Sequence, residues 1–201
     1  YSDITGNYGF SFDTRNRPFM PTSGSVIGFG QSLPLYADNS AIGNYLTASK
    51  YKSLNENVVG VGKLYLSTIT GVGEDDVRLS KRKSLSTKRL RGFEKGKIGP
   101  VDSDDHIGGN YTAAVNFEAN LPNVLPDDTN ADLSLFLDFG NVWGVDYDSS
   151  IDESNKIRSS TGLIANWMSP IGPMNFVLSQ NLSKADTDKT QGFSFNLGTT
   201  F

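Results

Sequence analysis

Residues 110–121 read Asn-Tyr-Thr-Ala-Ala-Val-Asn-Phe-Glu-Ala-Asn-Leu, and this stretch decides the fold class. Its larger apolar side chains occupy every second position, at Tyr111, Val115, Phe117 and Leu121. The positions between them are small or polar. Because successive side chains of a β-strand point to opposite faces, this alternation predicts a strand with one apolar and one polar face.

The same period of two residues recurs along the chain. Its clearest further instances are residues 132–140, 174–181 and 193–201, and weaker instances are residues 7–15, 24–33, 41–52, 57–70 and 157–168. No segment combines helix caps with an apolar period of 3.6 residues. The pattern therefore predicts an all-β, antiparallel chain of about nine strands.

Periodicity alone does not tell which solvent the apolar face meets. In a soluble sandwich that face packs on a second sheet, whereas in a membrane barrel it meets lipid and the polar face lines the lumen. The mean hydropathy of −0.33 fits both. No run approaches the ~18 apolar residues of a spanning helix. A spanning strand needs only ~9–11 residues, apolar at alternate positions, so a membrane barrel remains one of the two hypotheses.

The connections between the strands favour the barrel. Tight turns at 17–24, 53–56, 122–130 and 169–173 alternate with longer or more polar segments at 34–40, 71–109, 144–156 and 182–191. Outer-membrane barrels alternate in this way, with tight turns on the periplasmic side and longer loops outside. Trp143, Trp167 and Tyr147 lie near strand ends and fit interfacial girdles. We therefore predict a transmembrane β-barrel with residues 71–109 as its long extracellular loop.

The composition offers little material for catalysis. The chain has no cysteine and one histidine, His106, so disulfides, thiolate metal sites and multi-histidine sites have almost no basis. No Gly-x-Ser-x-Gly elbow accompanies Ser134, Glu118 or Asp138. Carboxylates at 102–106 suit Ca²⁺, although a polar loop explains that run equally well. We expect no enzyme activity, metal or cofactor.

Half of the basic residues lie in one part of the long loop. Nine of the 18 lysines and arginines fall between Arg78 and Lys97, where Glu94 is the opposing charge. Nucleic acid is not an expected partner, because stacking aromatics are not interleaved and the net charge is −4. Two interpretations remain: a solvated loop, or a loop that contacts lipopolysaccharide phosphates.

Arg91 differs from the other basic residues in its context, because glycines at 92, 96 and 99 permit a tight return of the chain. A guanidinium that enters a barrel lumen needs carboxylates, since an unpaired buried charge is costly. Glu118 and Asp138 lie on the polar faces of consecutive predicted strands. We predict that Arg91 folds inward and pairs with both, with Phe93 and Phe136 packing beside it. The alternative is an exposed loop arginine.

Several motifs occur together in a characteristic order. They are Leu-Arg-Gly-Phe at 90–93, Phe-Leu-Asp-Phe-Gly-Asn-Val-Trp at 136–143, Trp-Met-Ser-Pro-Ile-Gly-Pro at 167–173, and the chain end at 192–201. In order and spacing they resemble the C-terminal barrel strands of the BamA superfamily of outer-membrane protein insertases. The resemblance runs from about Tyr8 to Phe201. It implies that residues 1–201 are the C-terminal portion of the barrel domain, without the periplasmic POTRA domains and the N-terminal strands.

The resemblance also implies a function and a set of site residues. The loop motif would be Arg91, Gly92 and Phe93, and its lumenal partners would be Glu118, Phe136 and Asp138. The protein would insert client outer-membrane proteins into the outer membrane of Gram-negative-type cells, with the loop as a latch. Accessory assembly lipoproteins, lipid and lipopolysaccharide would be its further partners. TamA-like assembly factors, two-partner-secretion transporters and a passive pore remain alternatives.

The last strand would form one side of a labile seam. An unpaired strand edge is costly in lipid, and a client strand can satisfy it by pairing. The residues expected to form this seam and a C-terminal β-signal are Phe193, Phe195, Leu197, Gly198 and Phe201. Gly198 would weaken the pairing of the last strand.

Overall fold

A computed structural model describes residues 2–18, 20–73, 76–151, 155–170 and 172–197. Nine strands form one antiparallel sheet in chain order, and a separate hairpin, β5–β6, lies within the long loop. The strands are β1 (Asp3–Asp13), β2 (Ser23–Ala37), β3 (Ala41–Asn55), β4 (Val58–Gly71), β5 (Val101–Asp102), β6 (Asp105–His106), β7 (Tyr111–Leu121), β8 (Ala131–Trp143), β9 (Arg158–Ser169), β10 (Gly172–Ser183) and β11 (Phe193–Leu197). Single 3₁₀ turns occur at Leu79–Lys81 and Asp127–Thr129. Within these ranges no helix is long and apolar enough to cross a membrane.

The prediction of about nine antiparallel strands is confirmed, but two details differ. The predicted loop at 34–40 is wrong, because β2 continues to Ala37 and leaves only residues 38–40 as a turn. Pro34 is accommodated opposite Thr5, where the β1–β2 register shifts. A proline donates no ladder hydrogen bond and is tolerated at such an irregularity. The β5–β6 hairpin was not predicted, because two-residue strands carry no periodic signal.

The exposure of the two faces identifies the apolar face as the outer one. Phe117 is 51% exposed, Leu135 is 49% exposed and Leu178 is 57% exposed, all on the same face. On the opposite face Asn116 and Asp138 are buried beneath the long loop. A soluble sandwich would bury the apolar face instead. The arrangement is therefore that of a transmembrane barrel, with an outer face that meets lipid and a polar lumenal face.

The long loop (residues 72–110, between β4 and β7) packs onto the lumenal face. Its apolar cluster joins loop residues to strands β7 and β8, and it consists of Leu85, Leu90, Phe93, Ile98, Ala114 and Val142. Gly140 of β8 makes this approach possible, because a Cβ there would lie 2.9 Å from Leu85 Cδ1. The loop is thus held by its own core and does not extend freely into solvent.

Two of the three predicted girdle aromatics occupy strand ends. Trp143 stacks on Tyr111 with ring centroids 5.8 Å apart, and Trp167 lies near the opposite end of the sheet, in β9. Tyr147 differs, because its hydroxyl donates to Asp102 Oδ2 at 2.6 Å and its ring contacts Arg82. Tyr147 therefore joins two loops and lies outside the strands.

Candidate functional site

The guanidinium of Arg91 lies in the lumen and bonds two carboxylates. Nε donates to Asp138 Oδ2 at 2.7 Å and Nη2 donates to Asp138 Oδ1 at 2.6 Å. Nη1 donates to Glu118 Oε1 at 2.8 Å. The backbone N–H of Arg91 also donates to Asp138 Oδ2, at 3.1 Å. Arg91 is only 6% exposed and Asp138 is fully buried, so water does not screen this pair.

The sheet register explains why these carboxylates converge. Asn116 of β7 lies opposite Asp138 of β8, and Glu118 follows Asn116 by two positions on the same face. The amide of Asn116 donates to Asp138 Oδ1 and to the carbonyl oxygen of Arg89, both at 2.8 Å. Asn116, on the lumenal face of β7, therefore positions both the Asp138 carboxylate and the backbone of the long loop at Arg89.

Lys63 of β4 completes the charge balance. Its Nζ lies 2.9 Å from Glu118 Oε2, so two cations face two carboxylates. Burial by itself would lower the pKa of Arg91. The hydrogen bonds and charges of Asp138 and then Glu118 outweigh this effect, so the pKa of Arg91 lies above its ordinary value. The guanidinium therefore stays charged. Lys63 was not predicted, and its position in the alternating segment 57–70 was the available signal.

The two phenylalanines of the site have different roles. The Arg91 guanidinium carbon lies 4.1 Å from the centroid of the Phe136 ring, a cation–π geometry. Phe136 is itself buried against Ile164 and Val177. Phe93 packs in the apolar cluster of the long loop, and its backbone bridges to Thr190. Phe136 therefore contacts the cation, while Phe93 secures the loop that carries it.

Gly92 adopts a conformation that other residues rarely adopt, with φ at +85°. Its carbonyl accepts from Asn181 Nδ2 at 2.8 Å and from the backbone N–H of Gln191 at 3.0 Å. A Cβ at this position would lie 3.1 Å from Asn181 Nδ2 and 3.2 Å from Ser179 Oγ. Both the backbone and the close approach to β10 therefore favour glycine.

A second buried arginine was missed by the sequence reasoning. Arg158 of β9 donates from Nε and Nη2 to the two carboxylate oxygens of Asp188, each at 2.9 Å. Its Nη1 donates to Asn141 Oδ1 at 2.6 Å. Both ionic side chains are fully buried. Arg158 begins an alternating segment, which was a weak signal, and Asp188 lies in a connection without any period.

The basic run of the long loop is largely engaged within the protein. Lys81 lies 3.0 Å from Asp3, Arg82 lies 2.7 Å from Asp146, and Arg89 stacks on the Tyr65 ring. Lys88 and Lys95 are exposed. Lys88 lines the lumenal cavity beside Arg91 and Glu118. Of these two lysines, Lys95 is therefore the one for which both interpretations, a solvated side chain and a contact with anionic lipid, still apply.

The predicted seam residues lie partly within the described chain. Phe193, Phe195 and Leu197 point outward from β11, and Phe195 packs on Phe176 of β10 with ring centroids 5.0 Å apart. Gly198 and Phe201 lie outside the described residues. Among the residues placed by the structure, no cluster of three or more His, Cys, Asp or Glu side chains could hold a metal ion.

Comparisons with known proteins agree with this architecture. The chain is 35% identical over 141 residues to the outer membrane protein assembly factor BamA of Neisseria meningitidis serogroup B, covering 56% of this chain and 17% of that protein. It is 29% identical over 203 residues to BamA of Nitratidesulfovibrio vulgaris, covering 96% of this chain and 25% of that protein. The chain therefore spans a quarter or less of these two relatives.

A solved structure has the same fold. The crystal structure of BamA from Haemophilus ducreyi lacking POTRA domains 1–3 superposes with a TM-score of 0.83 at 27% identity, covering 94% of this chain and 41% of that chain. The Omp85 superfamily domain matches residues 1–201. With its outward apolar face and its inward long loop, the chain thus belongs to the Omp85 superfamily, as part of a BamA-type outer-membrane β-barrel.

Proposed function

We propose that this chain is the C-terminal portion of the barrel of an outer-membrane protein assembly factor. The whole protein folds and inserts client β-barrel proteins through a labile barrel seam, and the long loop acts as a lumenal latch. The observation that carries the proposal is the ion cluster of Arg91 with Asp138 and Glu118. It fixes an extracellular loop to the inner wall at the cost of burying three charges.

The edge strand supports the seam. Among the described residues β1 and β11 are the two outermost strands of the sheet, and β11 is paired on one side with β10. Its other row of N–H and C=O groups can pair with a strand of the same barrel or with a client strand. In lipid such groups must be satisfied, so exchange of one strand for another keeps the free energy of an intermediate low.

Insertion of a client protein by strand pairing forms and breaks no covalent bond, so the proposed function requires no catalytic residue, metal or cofactor. Its partners are client outer-membrane proteins and, on the resemblance to BamA, accessory assembly lipoproteins. The exposed Lys95 fits contact with the phosphates of lipopolysaccharide. A passive pore is the second candidate, and it requires no buried latch.

Three variants of the full-length protein test the latch: Arg91→Ala, Asp138→Arg, and the swap Arg91→Asp with Asp138→Arg. We expect both single variants to lose assembly of client proteins and the swap to restore part of it, because the swap rebuilds one ion pair. Arg15→Ala is the control, since Arg15 pairs with the partly exposed Asp13. Surface protein levels are measured at equal expression.

The same variants distinguish the two candidates. A passive pore would change its conductance in the Arg91→Ala variant and leave client assembly at the wild-type level. Wild-type assembly in all three variants would therefore reject the latch.

A further inference from the structure

The long loop is hydrogen bonded to a second loop, which leads directly into the edge strand. We call residues 184–192, between β10 and β11, the final loop. Glu94 N–H donates to the Lys189 carbonyl, Lys189 N–H donates to the Lys97 carbonyl, and Gln191 N–H donates to the Gly92 carbonyl, each at 3.0 Å. Strand β11 begins at Phe193, two residues after Gln191. The Arg-Gly-Phe motif and the edge strand therefore belong to one hydrogen-bonded layer.

The Arg158–Asp188 pair fixes the point where this layer begins. Asp188 immediately precedes Lys189, and its carboxylate receives two bonds from Arg158 and one from the backbone N–H of Ala185 at 2.6 Å. The pair is bidentate and fully buried. A planar fork of two parallel bonds fixes both the position and the orientation of the Asp188 carboxylate.

Strand β9 contacts both loops through neighbouring positions of the same face. At Arg158 it holds the final loop, and at Ser160, one position further along that face, the hydroxyl donates to the Arg91 carbonyl at 2.5 Å. The latch arginine and the final loop are therefore aligned on one rigid strand. Neither contact belongs to the ion cluster of Arg91 with Glu118 and Asp138.

We infer that Arg158 is a positioning residue that couples the latch to the edge strand. By holding Asp188, it keeps residues 189–191 paired with residues 92–97, so that displacement of β11 reaches Gly92 and then Arg91. The functional meaning of this coupling rests on the proposed latch. The coupling itself is a property of the two loops and can be measured separately.

Hydrogen exchange in the full-length protein tests the coupling. In Arg158→Gln we expect the amides of Glu94, Lys189 and Gln191 to exchange faster by on the order of tenfold or more, because the final loop loses its anchor. The Lys83–Gly109 bridge lies elsewhere in the same long loop, so its two amides should keep their wild-type rates. Asp188→Asn should give the same pattern.

Arg82→Gln is the matched control. Arg82 is also buried and anchors the same loop, but its partner Asp146 lies between β8 and β9. Asp146 also accepts from the Val77 N–H. Loss of Arg82 should therefore speed exchange at Val77 and leave Glu94, Lys189 and Gln191 unchanged. If both arginine variants raised exchange at those three amides equally, Arg158 would have no special position and the inference would fail.

Two further variants keep the test decisive if Arg158→Gln does not fold. Arg158→Lys retains the charge but not the bidentate fork, so it should raise exchange at the same three amides by a smaller factor. The swap Arg158→Asp with Asp188→Arg should lower exchange again relative to Asp188→Arg alone. Unchanged exchange in Arg158→Lys and in Asp188→Asn would overturn the inference.

Assembly assays on the same variants separate this inference from the proposed function. If Arg91→Ala assembles clients normally while Arg158→Gln still loosens residues 92–97, the latch is rejected and the coupling remains. If Arg91→Ala abolishes assembly while Arg158→Gln alters neither exchange nor assembly, the coupling is rejected and the latch remains.

Discussion

Arg91 and Arg158 use the same chemistry in opposite directions. Arg91 comes from a loop and meets carboxylates on the strands β7 and β8, whereas Arg158 comes from the strand β9 and meets a carboxylate in a loop. Arg91 bonds two carboxylates and lies against the Phe136 ring. Arg158 bonds one carboxylate, the amide of Asn141 and the Lys156 carbonyl.

This difference indicates which of the two anchors is held from more sides. Two carboxylates and a ring define the position of Arg91 from three sides, and their residues lie in continuous strands. The partner of Arg158 lies in a connection of nine residues, where Arg158 and the Ala185 N–H hold its carboxylate. Breaking the two sites should therefore differ in cost, and the following variants test that ranking.

The largest effect is expected for Asp138→Ala. Asp138 accepts three bonds from Arg91 and one from Asn116, and its removal leaves a buried guanidinium with Glu118 alone. Breaking a buried pair on one side costs about 3–5 kcal/mol of the free energy of unfolding. Denaturant unfolding of the full-length protein measures it, with the partly exposed Asp13→Ala as control. A loss below ~1 kcal/mol, the range of surface pairs, would show that the cluster is not a structural anchor.

Arg158→Gln should cost about 3 kcal/mol, the lower end of the range for a broken buried pair, because a glutamine can still donate one bond to Asp188. Asp188 keeps the Ala185 N–H, and a glutamine at 158 can still reach Asn141. The same unfolding experiment gives the value. A cost larger than that of Asp138→Ala would reverse the ranking of the two anchors.

Glu118→Gln should destabilise by about 1–2 kcal/mol. The amide oxygen can still accept from Arg91, but Lys63 loses its counter-ion. Adding Lys63→Met should recover part of the loss, because it removes the unpaired cation. A double-mutant cycle measures the coupling. Strict additivity of the two substitutions would mean that Lys63 is solvated and does not depend on Glu118.

Phe136→Leu isolates the contribution of the ring. The cation–π contact with Arg91 should account for about 1 kcal/mol of coupling, separate from the apolar volume lost beside Ile164. The coupling is the difference between Phe136→Leu made in the wild type and in Arg91→Met. Ile164→Val serves as a control that reduces the same apolar cluster without touching the cation. Zero coupling would limit Phe136 to packing.

The smallest effect is expected on the pH dependence of the free energy of unfolding, through Asp146. Burial by itself would raise the pKa of Asp146. The hydrogen bonds from the Val77 N–H and Asn110 and the charge of Arg82 outweigh this effect, so the pKa of Asp146 lies below 3.8. Its contribution is therefore complete above that value and is lost as the pH falls through the lower folded-state pKa. Asp146→Asn should flatten the pH dependence of unfolding below pH 3.8. An unchanged slope would exclude Asp146 as its source.

The strands could be predicted from local periodicity, whereas the inward path of Arg91 was favoured over an exposed one only by the resemblance to the BamA superfamily. Alternation assigns each residue of a strand to a face, and consecutive strands bring Glu118 and Asp138 to the same wall. An arginine that enters the lumen then meets these two carboxylates. The remaining uncertainty, whether the apolar face meets lipid or another sheet, needed the exposure of Phe117 and Leu135 in the folded chain.

The contacts between loops could not be predicted in this way. Asp188 lies in a segment without any period, and its pairing with Arg158 depends on the path of the final loop. Lys63 lies on the right face, but alternation does not tell which polar side chains of a lumen meet. The end of β2 was misplaced because Pro34 normally marks a break, and here a register shift accommodates it.

The pairing of the two loops has a consequence for the order of folding. The bond from Asn181 to the Gly92 carbonyl joins residues 89 positions apart, and the partners of Glu94 and Lys97 lie further along the chain. Contacts of such long sequence separation form late, because the intervening chain must be ordered first. The Arg-Gly-Phe segment can therefore complete its bonds only after the last hairpin has been inserted. A chain in which β10 and the final loop are not yet in place cannot form these bonds, so full seating of this segment requires that both have already been inserted.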